Sequence, residues 1–127
     1  MLNRHEYREK LIFALYQHLL LHKSLRETFD NNFEDIEIDE FCKQVFTDVE
    51  INETNYINEI SKHLVKWSFD RLNLVEQAIL LEATSEIYLK INERPVIIDE
   101  AVIFAKTYCD EESYKFINGV LDKICNN

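Results

Sequence analysis

The chain has 127 residues but only one glycine and one proline. Hairpins and tight turns draw on residues that tolerate positive φ, so this composition excludes a turn-rich sheet protein and predicts an all-α fold in a single domain over residues 1–127. A formal charge of −10, from 14 Lys and Arg against 24 Asp and Glu, excludes a nucleic-acid binder that works by overall positive charge; any such contact must sit in a local patch.

The first helix is predicted over about Asn3–His22. Leu11, Ala14, Leu15, His18, Leu19 and His22 fall at three- and four-residue spacings and form its core face. Arg4, His5 and Arg8 lie in its opening turns, where cations oppose the helix macrodipole and bring no local gain. Ser24-Leu-Arg-Glu27 has capping-box spacing and predicts a short second helix ending near Phe29, with residues 30–32 as loop. From Ile36, the positions Ile38, Phe41, Cys42, Val45, Phe46 and Val49 keep helical period and predict a third helix. Asn52 is then read as the cap of a fourth, with Tyr56, Ile57, Ile60, Leu64 and Trp67 facing inward. Residues 30–60 carry ten acids and one lysine, a solvated face on this reading or, alternatively, a surface for a basic partner.

The stretch from Asn73 to Leu89 is apolar in almost every direction around a helix, the mark of a core helix packed from several sides. Asn73 and Glu76 have the spacing of a capping box at its start. Glu82 and Glu86, at i and i+4, read as an ordinary exposed helix edge. Glu93-Arg-Pro95 breaks the chain, and Ile97, Ala101, Phe104, Ala105 and Tyr108 mark one face of a sixth helix. Asp110 caps the last helix, with Ile117, Val120, Leu121 and Ile124 inward and Lys115, Asn118 and Asp122 outward. Gly119 sits mid-helix, where it costs about 1 kcal/mol against alanine. Close approach of a neighbouring helix or of a ligand backbone would explain it.

No enzyme chemistry is legible. His18 and His22 share a helix face but lack the acid of a zinc-protease motif, and a structural role facing the core is the simpler reading. No glycine-rich phosphate loop or nucleophile elbow occurs. The three cysteines, Cys42, Cys109 and Cys125, are widely spaced and read as buried thiols in a reducing cytoplasm. No apolar run reaches the ~20 residues of a membrane span, and the N-terminus lacks a signal-peptide pattern. The expectation is a cytoplasmic protein with no metal, cofactor or membrane contact.

Several motifs then occur in order. Arg8-Glu9 and Ala14-Leu-Tyr-Gln17 come first, followed by Trp67-Ser-Phe-Asp-Arg-Leu72 and Val75-Glu-Gln-Ala-Ile-Leu80. Pro95-Val-Ile-Ile-Asp-Glu-Ala-Val102 with Ala105-Lys106 follows, and Ser113-Tyr-Lys-Phe-Ile-Asn-Gly-Val-Leu-Asp-Lys-Ile124 closes the series. Together they resemble the NusB family of bacterial transcription antitermination factors. The resemblance is nearly continuous over the C-terminal half, sparser in the first helix and confined to length and helical character over about residues 23–60.

It implies an all-α fold of about seven helices, in two small packed bundles around a central buried helix. It also implies binding of a single-stranded boxA-like RNA jointly with NusE, a small-subunit ribosomal protein. Other Nus factors and RNA polymerase join the assembly, which promotes processive transcription of ribosomal RNA. The family's RNA-binding positions fall on Arg4, His5, Arg8, Tyr16, Lys115, Phe116 and Asn118, with Gly119 beside them, and a partner-facing acid falls on Glu76. Arg4, Arg8 and Lys115 would neutralise phosphates, while Tyr16 and Phe116 would offer flat faces to unstacked bases. The family's dense N-terminal arginine run is reduced here to Arg4 and Arg8, interleaved with Glu6 and Glu9, which implies weak RNA binding without NusE. A helical adaptor of the same fold with little RNA recognition is the alternative. Monomer and homodimer both remain open.

Overall fold

A computed structural model describes residues 1–126. Six α-helices follow one another: α1 (Arg4–Leu21), α2 (Leu25–Asn32), α3 (Glu40–Ser61), α4 (Leu74–Leu89), α5 (Arg94–Tyr108) and α6 (Glu111–Cys125). A single 3₁₀ turn, Phe69–Arg71, precedes α4. α4 is the hub, packing against α1, α3, α5 and α6, while α1 with α2 and α5 with α6 form the closest outer pairs.

Caps set most of the helix starts. Asn3 and Glu6 close a reciprocal box at α1, and Asn73 and Glu76 do the same at α4. Ser24, Asp39 and Asp110 accept from the third backbone N–H of their helices. At α5, Pro95 stands at a position whose N–H needs no partner. With glycine almost absent, the ends of α1 and α4 are closed by His22 and Lys90 in the left-handed region, at φ 57° and 56°. That conformation is usually reserved for glycine.

The predicted boundaries need four corrections, the first being that the third helix starts at Glu40, after its Asp39 cap, and not at Ile36. Residues 30–32 are helical, because Phe29 and Phe33 stack on each other in the core and Asn32 Nδ2 donates to Thr28 O and Gln17 Oε1. The third and fourth predicted helices are one: α3 runs unbroken through Asn52, whose side chain donates back to Asp48 instead of capping. That merger reduces about seven expected helices to six. Trp67 lies beyond the end of α3 and is 57% exposed, not inward.

α4 has eleven consecutive buried residues, Gln77–Ile87. Glu82 and Glu86 are among them, so the exposed edge predicted for that pair does not exist. α1 and α5 cover it. His18 is half-buried between Glu53 and the Lys23 carbonyl, as a structural histidine should be, whereas His22 is an exposed C-cap and not part of the core. Of the three cysteines, Cys42 and Cys125 are buried as expected, but Cys109 is only half-buried.

Candidate nucleic-acid interface

All but Tyr16 of the residues expected to meet RNA fall into two groups, one at the start of α1 and one on α6. Among the described residues, no hydrogen bond, ion pair or ring contact joins them.

In the first group, Arg4 is exposed and lays its guanidinium 4.2 Å from the centre of the Phe41 ring. His5 stacks on Phe104 at 4.7 Å and lies 2.8 Å from Glu100 Oε2. Arg8 is a different kind of residue. Its side chain is 3% exposed, and its Nε and Nη2 each donate to the Glu86 carboxylate at 2.8 Å. Asn92 adds a third hydrogen bond to Glu86 at 3.1 Å, and Glu100 stands 3.9 Å from Arg8. A guanidinium held along one edge by a bidentate pair and buried inside the protein is not free to meet a phosphate. Arg8 therefore joins α1 to the central helix.

The same cluster explains the second buried acid. Glu82 Oε2 faces no hydrogen-bond donor. Burial, reinforced by the neighbouring Glu86 carboxylate, holds the Glu82 carboxyl well above the ordinary carboxylate range. Burial alone would raise Glu86 too, but hydrogen bonds from Glu82 and Arg8 outweigh it and bring Glu86 down. The two acids thus differ: burial beside Glu86 pushes Glu82 up, whereas Glu86, hydrogen-bonded by Arg8 and Asn92, is brought down and faces the guanidinium.

The second group is open to solvent. Asp110 fixes the start of α6 by accepting from Ser113 N at 2.9 Å. One turn on, Lys115 is 58% exposed and reaches only Glu111, at 3.4 Å. Asn118 is exposed and Phe116 half-buried. Tyr16 belongs to neither group, being half-buried against the core on the outer part of α1.

Phe116 and Trp67 stand between two grooves of opposite charge. One, of about 430 Å³, is lined by both rings with Arg71, Glu76, Asp110 and Glu112. The other, of about 320 Å³, is lined by the same two rings with Lys66, Lys115, Lys123 and Gly119. Glu76 therefore has two functions: its Oε1 accepts from Asn73 N at 3.1 Å to cap α4, and it lines the acidic groove. Gly119 is not explained by helix packing, because a Cβ built on it meets nothing within 4 Å. No group of three or more His, Cys, Asp or Glu side chains placed to hold a metal occurs among the described residues.

Comparison with known proteins decides the family. The NusB family model matches residues 5–126. The chain belongs to the NusB family. A transcription antitermination protein NusB from Oceanobacillus iheyensis is 38% identical over 124 residues, covering 97% of this chain and 98% of that relative. Among solved structures, T. maritima NusB superposes with a TM-score of 0.92 at 30% identity, covering 99% of this chain and 92% of the other. The NusB chain in a crystal structure of antitermination factors NusB and NusE with double-stranded RNA superposes at 0.87 with 29% identity, over 97% of this chain and 96% of that one.

Sequence reasoning missed Lys66, Trp67, Arg71 and Lys123 as surface features of this site. The segment 62–73 has no periodicity to show which way its side chains point. Only the packing of the 3₁₀ turn, through buried Phe69 and Leu72, places Trp67 against α6.

Proposed function

We propose that this protein is a transcription antitermination factor that binds a boxA-like single-stranded RNA together with a NusE-type ribosomal protein. The complex then acts with other Nus factors on RNA polymerase, in the cytoplasm, and the role calls for no catalytic step. The observation that carries this reading is the position of Phe116: its ring borders cationic Lys115 on one side and the acidic groove of Glu76, Asp110 and Glu112 on the other. A polyanion and a basic protein would then meet on adjoining surfaces, each facing opposite charge.

Lys115 neutralises a phosphate, Asn118 offers hydrogen bonds and Phe116 stacks a base. Arg4 extends the cationic surface at the start of α1, with the His5 ring beside it. Tyr16, half-buried like Phe116, offers a further ring to a base. Arg8 positions α1 without touching RNA. Glu76 faces the ribosomal protein.

The test is binding of a labelled boxA-like RNA and of a scrambled RNA, each with and without NusE from the same organism. A preference for boxA that appears or sharpens with NusE is expected. NusE binding with no RNA preference in either case would leave only an adaptor.

A further inference from the structure

We infer that His18 is a pH-gated latch: as an imidazolium it ties the corner between α1 and α2 to α3, and as a neutral imidazole it releases α3.

The surroundings of the ring fix how many protons it must carry. Nδ1 lies 2.5 Å from the Lys23 carbonyl oxygen, and Nε2 lies 3.0 Å from both oxygens of the Glu53 carboxylate. A carbonyl and a carboxylate only accept hydrogen bonds, so each ring nitrogen has to donate. A neutral imidazole has a single N–H and serves only one of the two acceptors. The ring that fits this place carries both protons and therefore a positive charge.

This ring stands at a hinge. α1 ends at Leu21, and His22 turns the chain in the left-handed region at φ 57°, its N–H donating to the His18 carbonyl. α2 begins at Leu25, behind its Ser24 cap. His18 holds this corner at Lys23 with one nitrogen and reaches across to α3 with the other. Its side chain and that of Glu53 are 20% and 25% exposed, so solvent and salt screen the pair less than an open surface pair.

The other charges around the corner are engaged elsewhere. The Lys23 ammonium lies 3.9 Å from Glu27, and Arg26 of α2 lies 3.4 Å from Glu50 and over the Phe46 ring. Among the described residues, Glu53 is the charged side chain paired with His18. Its hydrogen bond, with the lesser help of the Lys23 carbonyl, outweighs burial and raises the imidazole above its ordinary 6.5. The folded state thus holds this proton more tightly than the unfolded one. The stability tied to it is full below pH 6.5 and is lost as pH rises through the folded value.

Loss of the proton breaks one contact, and that contact is Glu53. The Lys23 carbonyl is fixed by the backbone of the turn, whereas the Glu53 carboxylate can swing into water. Deprotonation therefore keeps the α1–α2 corner intact and frees it from α3. α2 itself stays on α3 through the Phe29–Phe46 stack and Arg26, so the corner loosens without unfolding.

The experiment is a nitrogen-15 NMR titration of the full chain, with the ring signals of His18 assigned by their loss in His18→Gln. At pH 6.5 both ring nitrogens of His18 should carry hydrogen. At higher pH only Nδ1 should keep its own, and the backbone amides of Ser24 and Glu53 should shift with the same midpoint. Glu53→Gln should lower that midpoint, because the charge is gone. Its side-chain amide can also donate to a neutral Nε2, so the tether to α3 should persist at high pH and the shift of the backbone amide at position 53 should disappear.

A ring with one protonated nitrogen at pH 6.5 would overturn the imidazolium and the latch with it. A ring that titrates above 6.5 while the Ser24 and Glu53 amides stay still would leave a charged histidine but no latch. A midpoint unmoved by Glu53→Gln would remove Glu53 as the partner that gates it.

Discussion

The cations that open α1 and those that surround α6 meet different neighbours. Arg4 lies over Phe41, His5 is fixed between Phe104 and Glu100, and Arg8 is enclosed with Glu86. Around α6, Lys115 reaches one exposed acid, and among the described residues Lys66 and Lys123 reach none. In the first region positive charge holds helices together; in the second it is left for something outside. Cation count along the sequence is thus a poor guide to an anion-binding surface. What matters is how much of each cation is already committed.

The sharpest way to break this comparison is at Arg8. Arg8→Met should destabilise the fold by about 3–5 kcal/mol in urea denaturation, because Glu86 is left buried without its counter-charge. Adding Glu86→Leu should restore most of that loss, since an apolar pair of similar size needs no compensation. If Arg8→Met instead left stability intact and lowered only RNA affinity, Arg8 would belong with the free cations.

A second prediction concerns Glu82. Its carboxyl lies above the ordinary 4.5 in the folded chain, so the folded state holds the proton more tightly than the unfolded one. The stability tied to that proton is full below pH 4.5 and falls as pH rises towards the folded value. Glu86 runs the other way: its carboxyl is lowered, and the stability it brings is lost as pH falls through its folded value. Urea midpoints of the wild-type protein should therefore decline above pH 4.5, by at most about 1.4 kcal/mol per pH unit. Glu82→Gln removes that titration, so the decline just above pH 4.5 should disappear, leaving only the later loss from His18, which its hydrogen bond to Glu53 raises above 6.5. A wild-type profile equally without that decline would mean that Glu82 is ionised in the folded protein.

The smallest effect on stability is expected at Lys115. Its pair with Glu111 is exposed on both sides, and Lys115→Ala should change stability by less than about 0.5 kcal/mol. RNA affinity at low salt should nevertheless fall. Unchanged affinity would remove Lys115 from the surface and weaken the contrast between the two regions.

Much of the fold was legible residue by residue. The Asn73–Glu76 box, the caps at Ser24 and Asp110, and the all-round apolar character of α4 all appear in the structure as read. The Asn3–Glu6 box carries the same three-residue signal and went unread beside the more conspicuous cations. Asn52 misled because its side chain suits a cap or a bond back to i−4 equally well, and only continuous packing of α3 on α4 selects the second. Glu82 and Glu86 misled for a related reason: i,i+4 spacing places two acids on one helix face without saying whether another helix covers it.

The sequence by itself determined the helical class, most of the helix starts and membership of the NusB family. These rest on local chemistry and on motifs in order along the chain. Only the tertiary structure decided that Arg8 is buried, that Trp67 is exposed and that Gly119 faces open space. Each of those depends on atoms supplied by distant segments: Glu86 from α4, Phe69 anchoring the 3₁₀ turn, and a neighbouring helix that fails to cover α6. Burial is a property of the assembled neighbours, so no window along the chain contains it.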